Sequence, residues 1–290
     1  MRIAILLLTC FFLFSCKGKK APVYPWQEKL SLQQKGLKGS VKSIVEYHYH
    51  IVDSSGAFEK EMVEKEQELF DSQGYTIESN TTNYSPADSY RSKNLYSYDR
   101  NHKIIEEKLF NRFSKTPQII RYYYDEKGND TLEVEQYQNR NFGARTVCIY
   151  DEDNRLIERR HYPVGKYTDS NYIHPYFTHF NYRKYINKIE ATTFSADGEL
   201  KSKCLYKYDR DGNLVEQSRY DGTENLTDRT VFTLTGSNNG SITYGPDSTI
   251  ISKGTNIEDS FDQYGNALKI SKFINNKLIL LTVREIEYYR

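Results

Sequence analysis

Aromatic and histidine side chains are concentrated in residues 162–180, where they could form a binding surface. The candidate binding residues are Tyr162, Tyr167, Tyr172, His174, Tyr176 and His179. Their rings could stack on a sugar ring or on a partner, and long loops on a rigid scaffold often carry function. The competing interpretation, which the sequence favours, is a degenerate structural unit that packs its aromatic rings into the core.

Two patterns contain the residue types of a metal site, but neither has a full set of ligands. His48 and His50 are two residues apart and would share one face of a strand, yet spacing identifies no third ligand. The acidic loops 151–154 and 209–213 offer two or three carboxylates each, whereas Ca²⁺ takes about six to eight oxygen ligands. Turn formation explains these loops, so we predict neither a metal nor a cofactor.

Composition and motif content exclude several classes of function. Lys and Arg total 40 against 39 Asp and Glu, so the chain has no electrostatic preference for nucleic acid. The sequence contains no G-x-S-x-G, H-E-x-x-H, C-x-x-C or Gly-rich phosphate-binding motif. We therefore predict that the protein is not an enzyme and has no catalytic residues.

The first sixteen residues indicate export and lipidation. An apolar or small-residue run from Ile3 to Ser15, too short to span a membrane, ends at Cys16. Residues 13–16 resemble a bacterial lipobox, in which the cysteine is lipidated and becomes the new N-terminus; a plain signal peptide or an uncleaved anchor is the alternative. The basic linker at 17–20 favours a lipid-anchored protein that faces the periplasm.

An internal repeat accounts for most of the chain. An aromatic–Asp pair recurs with a period of 26 to 30 residues, and some neighbouring pairs are two periods apart. We call the aromatic residue of each pair the anchor. The anchors are Phe70, Tyr98, Tyr124, Tyr150, Tyr208 and Phe261. Degenerate copies are expected near Phe180 and Phe232, which gives about eight copies.

Each anchor is followed by the residues of a tight turn. The Asp can accept hydrogen bonds from the backbone two residues on, and the residue four after the anchor tolerates a positive φ. The predicted turn residues are Asp71, Gly74, Asp99, Asp125, Gly128, Asp151, Asp209, Gly212, Asp262 and Gly265.

Strands before and after these turns predict an all-β fold. We expect an extended, twisted antiparallel β-meander of about eight two-stranded repeats, preceded by a short N-terminal helix at 25–35. The charged run 59–70 is predicted as a strand, with a helix as the alternative.

The repeat resembles the YD repeats of Rhs proteins and, more narrowly, the YD-repeat (Rhs-like) lipoproteins of Bacteroidota, whose function is uncharacterised. The resemblance rests on the Tyr-Asp-x-x-Gly-Asn core and on the start at residues 36–44, and it covers nearly all of residues 36–290. The chain then divides into a signal peptide (1–15), a lipidated N-terminus with linker and helix (16–35), and a YD-repeat domain (36–290). The period is longer and the copies fewer than in Rhs proteins, so we expect an open sheet.

Two further features concern whether two cysteines form a disulfide and whether the last strand has a partner. Cys148 and Cys204 precede anchors that are two repeats apart, so four strand spacings would separate them by roughly 19 Å and leave both unpaired. The final strand, 277–289, is apolar on both faces, and a free edge of this kind promotes aggregation. We expect another segment to cover it, such as the helix near 26–34, or a second copy of the protein.

These features favour a non-catalytic cell-envelope lipoprotein that is attached to the membrane by its lipid and acts as an interaction scaffold for an envelope protein. The alternative is a glycan-binding lipoprotein that uses exposed tyrosines, although the one Trp, Trp26, lies in the linker. A hydrolase assembled across strands is a third hypothesis, which no sequence feature supports. A row of exposed tyrosine rings would favour glycan binding, whereas rings inside a curled sheet would favour the scaffold.

Overall fold

The computed structural model describes residues 30–54, 57–85, 89–112, 116–137, 142–165, 175–183, 187–235 and 238–290. These residues form one short helix, α1 (Leu32–Lys35), which ends at Gly36 with a left-handed φ of 72°. No helix among them is long and apolar enough to cross a membrane.

The remaining elements are eighteen strands: β1 (Val41–Ser54), β2 (Ala57–Phe70), β3 (Thr76–Asn83), β4 (Tyr90–Tyr98), β5 (Ile104–Phe110), β6 (Gln118–Tyr124), β7 (Asp130–Tyr137), β8 (Phe142–Tyr150), β9 (Leu156–Gly165), β10 (Tyr176–Arg183), β11 (Lys188–Ser195), β12 (Leu200–Tyr208), β13 (Leu214–Tyr220), β14 (Leu226–Thr235), β15 (Asn238–Tyr244), β16 (Ile250–Phe261), β17 (Ala267–Ile274) and β18 (Lys277–Tyr288). The strand predicted over 59–70 is confirmed by β2.

The strands close into one antiparallel barrel. Each strand pairs with the next along the chain, and β18 returns to pair with β1. The closing ladder runs from Val41 opposite Tyr288 to His50 opposite Leu280. The prediction of an extended, open meander of about eight repeats is therefore wrong. Tilted, staggered strands curl as they accumulate, and nine hairpins are enough to bring the first strand against the last.

Closure of the barrel also determines which strand pairs with the final strand, β18. The expectation that β18 is not a free edge is confirmed, but its partner is β1 rather than the helix or a second copy. The backbone of β18 is therefore hydrogen-bonded along both edges, to β17 on one side and to β1 on the other. The closed barrel has no edge strand to protect.

The anchors and their turns lie at one end of the barrel, which we call the anchor end. In the first copy the Asp71 carboxylate accepts hydrogen bonds from the backbone N–H groups of Gln73 and Tyr75, both at 2.9 Å. The N–H of Gly74 donates to the carbonyl of Asp71 at 3.0 Å. The residue four after the anchor has a positive φ in six copies: Gly74, His102, Gly128, Asn154, Gly212 and Gly265.

Anchor tyrosines join successive repeats through their hydroxyl groups. The hydroxyl of Tyr98 donates to the carbonyl of Thr76 at 2.6 Å, and that of Tyr124 donates to the carbonyl of Ile104 at 2.7 Å. Each acceptor is the first residue of the strand that follows the preceding anchor's turn. The aromatic ring thus fills the interior while its polar tip satisfies a backbone carbonyl of the neighbouring hairpin.

The same contact locates one copy that the sequence pattern misplaced, and strand ends locate two others. In β10, Tyr182 rather than Phe180 takes the anchor's role, since its hydroxyl donates to the carbonyl of Leu156 at 2.7 Å. β14 ends at Thr235, three positions beyond Phe232. A ninth copy ends β18 at Tyr288, where the missing Asp after the aromatic residue hid it from the pattern.

The barrel interior is polar and only partly filled. An 18-stranded barrel is too wide for side chains from its wall to meet across the centre, and few side chains, such as Phe70 and Val41, are almost fully buried. Apolar packing is concentrated at the anchor end, where Leu32 of α1 and Leu37 just after it pack on the cluster that contains Val41 and Phe70. The N-terminal segment therefore closes part of this end.

The outer face carries ion pairs in the middle of its strands. Residues that alternate with inward side chains point outward, and these include Lys93, which lies 2.8 Å from Glu78. Glu106 likewise pairs with Lys108 at 3.0 Å and with Arg121 at 3.3 Å. The outer wall of this part of the barrel therefore carries charged side chains.

Candidate functional site

A cavity of about 640 Å³ opens on the inner wall from β4 to β9, beside α1. Five tyrosine rings border it, together with three carboxylates, one guanidinium and one imidazole. We call it the tyrosine pocket, and its principal residues are Tyr75, Tyr98, Tyr122, Tyr124, Tyr150, Glu107, Asp130, Glu133, Arg159 and His102. Because the strands are neighbours in one wall, residues from repeats far apart in sequence converge there.

Arg159 is the main cation of the pocket. Its guanidinium donates to both oxygens of Glu133, at 2.8 and 3.1 Å, a geometry that favours a stable ion pair. Burial would lower the pKa of Arg159, but Glu133 and its other neighbours raise it. Arg159 and Glu133 thus form a fixed, charged pair in the wall.

Asp130 has the most perturbed carboxyl group of the pocket. Burial, and then the negative charge of Glu133, raise the pKa of Asp130 from 3.8 to about 7. Asp130 therefore takes up a proton as the pH falls through about 7, and its buried Oδ1 has no hydrogen-bond partner among the described residues.

Among the other polar groups of the pocket, one thiol and two tyrosine hydroxyls stay protonated at neutral pH, and one carboxyl group is hydrogen-bonded. Burial raises the pKa of the Cys148 thiol to about 12, and it also raises the pKa values of Tyr124 and Tyr150. Glu107, only 3% exposed, accepts a hydrogen bond from the hydroxyl of Tyr122 at 3.2 Å. Cys148 and Cys204 are both free thiols, as expected.

Of the predicted aromatic binding residues, the three that the structure describes, Tyr162, Tyr176 and His179, all border one cavity of about 340 Å³ beside β9 and β10. Tyr176 lies on the inner face, where its ring stacks on His161 at a centroid distance of 4.9 Å. His179 lies on the opposite face, between Phe177 and Phe194, with Nδ1 3.2 Å from a Glu158 oxygen. Strand alternation separates the two.

Tyr162 is exposed on the same outer face as His179. Both residues border this cavity together with Tyr176, Arg160 and Pro175. Tyr167, Tyr172 and His174 lie outside the described residues, as does the lipidation residue Cys16.

A second interior cluster surrounds His48 on β1, and we call it the His48 cluster. Its possible ligand atoms, from Glu46, His48 and Glu66, all lie within 4.8 Å of one another. Spacing along the chain identified no third ligand for the His48–His50 pattern because Glu66 comes from the paired strand β2. The alternation of Glu64, Glu66 and Glu68 was the available signal, since it places three carboxylates on one strand face.

The chain matches no protein-family profile and no curated protein. Among solved structures it is similar to a porin-like protein from Bacteroides uniformis, with a TM-score of 0.42 and 10% identity over 85% of this chain and 96% of that one. It is also similar to a porin-like protein from Bacteroides vulgatus, with a TM-score of 0.38 and 14% identity over 67% of this chain and 93% of that one. A further likeness, to TcdB2-TccC3 without its hypervariable C-terminal region, has a TM-score of 0.26 and 11% identity, and covers 80% of this chain and 17% of that one. These likenesses are too weak to carry an argument, and the barrel rests on the chain's own strand pairing.

Proposed function

We propose that the protein is a non-catalytic cell-envelope lipoprotein whose closed barrel acts as an interaction scaffold, with the tyrosine pocket as its binding surface. The observation that carries this proposal is the pocket, whose volume of about 640 Å³ falls in the range of small-molecule sites, about 300–1,000 Å³. The anchor tyrosines point into the barrel, which favours the scaffold over glycan binding through exposed tyrosines.

The charges of the pocket define the chemistry of its ligand. The carboxyl groups of Glu107, Asp130 and Glu133 face a single guanidinium, that of Arg159. A ligand that donates several hydrogen bonds would complement these carboxyl oxygens. Tyrosine ring faces attract organic cations and pack on the apolar faces of ring compounds.

The state of these groups favours binding over catalysis. Both oxygens of Glu133 are engaged by Arg159, so this carboxylate is not available as a nucleophile or a base. A Cys148 pKa of about 12 leaves the sulfur protonated at neutral pH, and the thiolate is the reactive form. Asp130 could donate a proton, but no activated nucleophile accompanies it among the described residues of the pocket.

The outer ion pairs support a barrel that faces water and is held at the membrane by lipid on Cys16. A Lys or Arg on the lipid face of a membrane barrel costs about 2–4 kcal/mol at the bilayer midplane, and Lys93, Lys108 and Arg121 all lie outward. The Cys16→Ser variant should leave the membrane fraction. Continued attachment with an unprocessed leader would contradict lipidation.

Site-specific photo-crosslinking in intact cells tests the binding surface. A benzophenone amino acid at Ile120, which lines the pocket, should form adducts. The same amino acid at Tyr123, which is 48% exposed on the opposite face three residues later, is the matched control. Adducts only at Tyr123 would overturn the assignment of the pocket, and adducts at neither position would overturn the scaffold.

A further inference from the structure

The His48 cluster, in the interior between β1 and β2, has an excess of negative charge. Glu46, Glu64, Glu66 and Glu68 supply four carboxylates to this inner face, and Lys35 and Arg284 supply two cations. Lys35 lies 2.8 Å from Glu68, and Arg284 lies 2.6 Å from Glu46. Four carboxylates against two cations leave two negative charges when His48 is neutral, and these match the charge of a divalent cation.

The imidazole of His48 is oriented as a metal ligand would be. Its Nδ1 lies 3.0 Å from the Thr282 hydroxyl on β18, which fixes the ring. Among the described residues, its Nε2 is buried with no hydrogen-bond partner, and Oε2 of Glu66 is 3.8 Å away, beyond hydrogen-bond distance. Metal-binding histidines use one ring nitrogen for the metal and bond the other to a neighbouring group, as His48 does with Thr282.

We propose that Glu46, His48 and Glu66 bind a divalent transition-metal ion of the Zn²⁺ class inside the barrel. One imidazole and two carboxylates suit such an ion and leave a fourth position for water or another ligand, whereas Mg²⁺ and Ca²⁺ prefer oxygen ligands alone. Because Arg284 holds one oxygen of Glu46, the other oxygen is the ligand. The site does not depend on the tyrosine pocket, to which none of its ligands belongs.

A second group, Asp130, Glu133 and Cys148, also has its ligand atoms within 4.8 Å of one another. There Arg159 donates to both oxygens of Glu133, and burial keeps the Cys148 thiol protonated. A cation would have to displace a bidentate ion pair to bind. The His48 cluster is therefore the better cation site.

Titration of the chelator-treated, full-length mature protein with Zn²⁺ and Co²⁺ tests the proposal. Calorimetry should show one equivalent of metal ion bound per protein molecule. The variants His48→Gln and Glu66→Gln should each weaken binding at least tenfold, and Thr282→Val, which alters only the orientation of His48, should weaken it about tenfold. His50→Gln is the matched control and should bind as the wild type does.

The Co²⁺ spectrum distinguishes the two clusters. A d–d spectrum without a thiolate-to-metal band is expected at the His48 cluster, and Cys148→Ser should leave it unchanged. A thiolate band that Cys148→Ser abolishes would place the ion at the other cluster and overturn the proposal. Failure of the wild type to bind millimolar Zn²⁺, or wild-type affinity in folded His48→Gln and Thr282→Val variants, would also overturn it.

Discussion

The carboxyl group of Asp130 should make the barrel less stable as the pH rises from about 4 to about 7. Its ordinary pKa of 3.8 rises to about 7 in the folded protein, so the folded state binds this proton more tightly than the unfolded state does. Stability from this group is present in full below pH 4, falls as the pH rises, and is lost above pH 7.

The Asp130→Asn variant removes this dependence and keeps the shape of the side chain. A difference of about 3 pH units corresponds to about 4 kcal/mol. Water in the pocket screens part of the charge, so we expect a difference of about 2 kcal/mol. The variant should therefore match the wild type at pH 4 and exceed its free energy of unfolding by about 2 kcal/mol at pH 8.

Urea unfolding at a series of pH values measures this difference directly. Asp211→Asn, in an exposed repeat turn, is the matched control and should follow the wild-type curve. Parallel curves for the wild type and Asp130→Asn between pH 4 and pH 8 would refute the account of Asp130. A lower stability for Asp130→Asn at pH 8 would refute it as well.

Two other variants probe the architecture. Tyr124→Phe removes the hydrogen bond to the Ile104 carbonyl and should lower the free energy of unfolding by about 1 kcal/mol. Tyr123→Phe, on the exposed outer face, should change it little. Equal losses in chemical denaturation would contradict a stabilising role for the bonds from anchor hydroxyls to carbonyls of the preceding repeat. Deletion of residues 277–290 removes β18 and leaves β1 and β17 as free edges. The product should therefore be insoluble or unfolded. A soluble monomer with an undiminished β-sheet circular dichroism signal would show that the closing strand is dispensable.

Local chemistry explains which parts of the fold could be predicted from the sequence. The strands before Tyr98 and Tyr124 follow from alternation, and the turns after them follow from an Asp and a residue that tolerates positive φ. Closure could not be predicted in this way, because it depends on twist and tilt summed over all the strands. The ninth repeat was missed since Tyr288 lacks the Asp that marks the other copies.

The interior sites were harder to predict because their members are distant in sequence. Glu107 and Arg159 meet in the tyrosine pocket only when β5 and β9 join the same wall. His48 was a recognisable candidate ligand, but its partner Glu66 became apparent only through the register of β1 with β2. The aromatic segment 162–180 was a weaker guide, since strand alternation sends Tyr176 and His179 to opposite faces.

The closure of the barrel is the central claim, and a disulfide across the closing ladder tests it most directly. Val45 and Glu285 are directly opposed on β1 and β18, and opposed residues of antiparallel strands have Cα atoms about 4.5–5.5 Å apart, within disulfide range. The double variant Val45→Cys, Glu285→Cys should form an intramolecular bond under mild oxidation, seen as one cross-linked peptide by mass spectrometry, and each single variant should not. Free thiols, or cross-links only between molecules, would contradict a closed barrel.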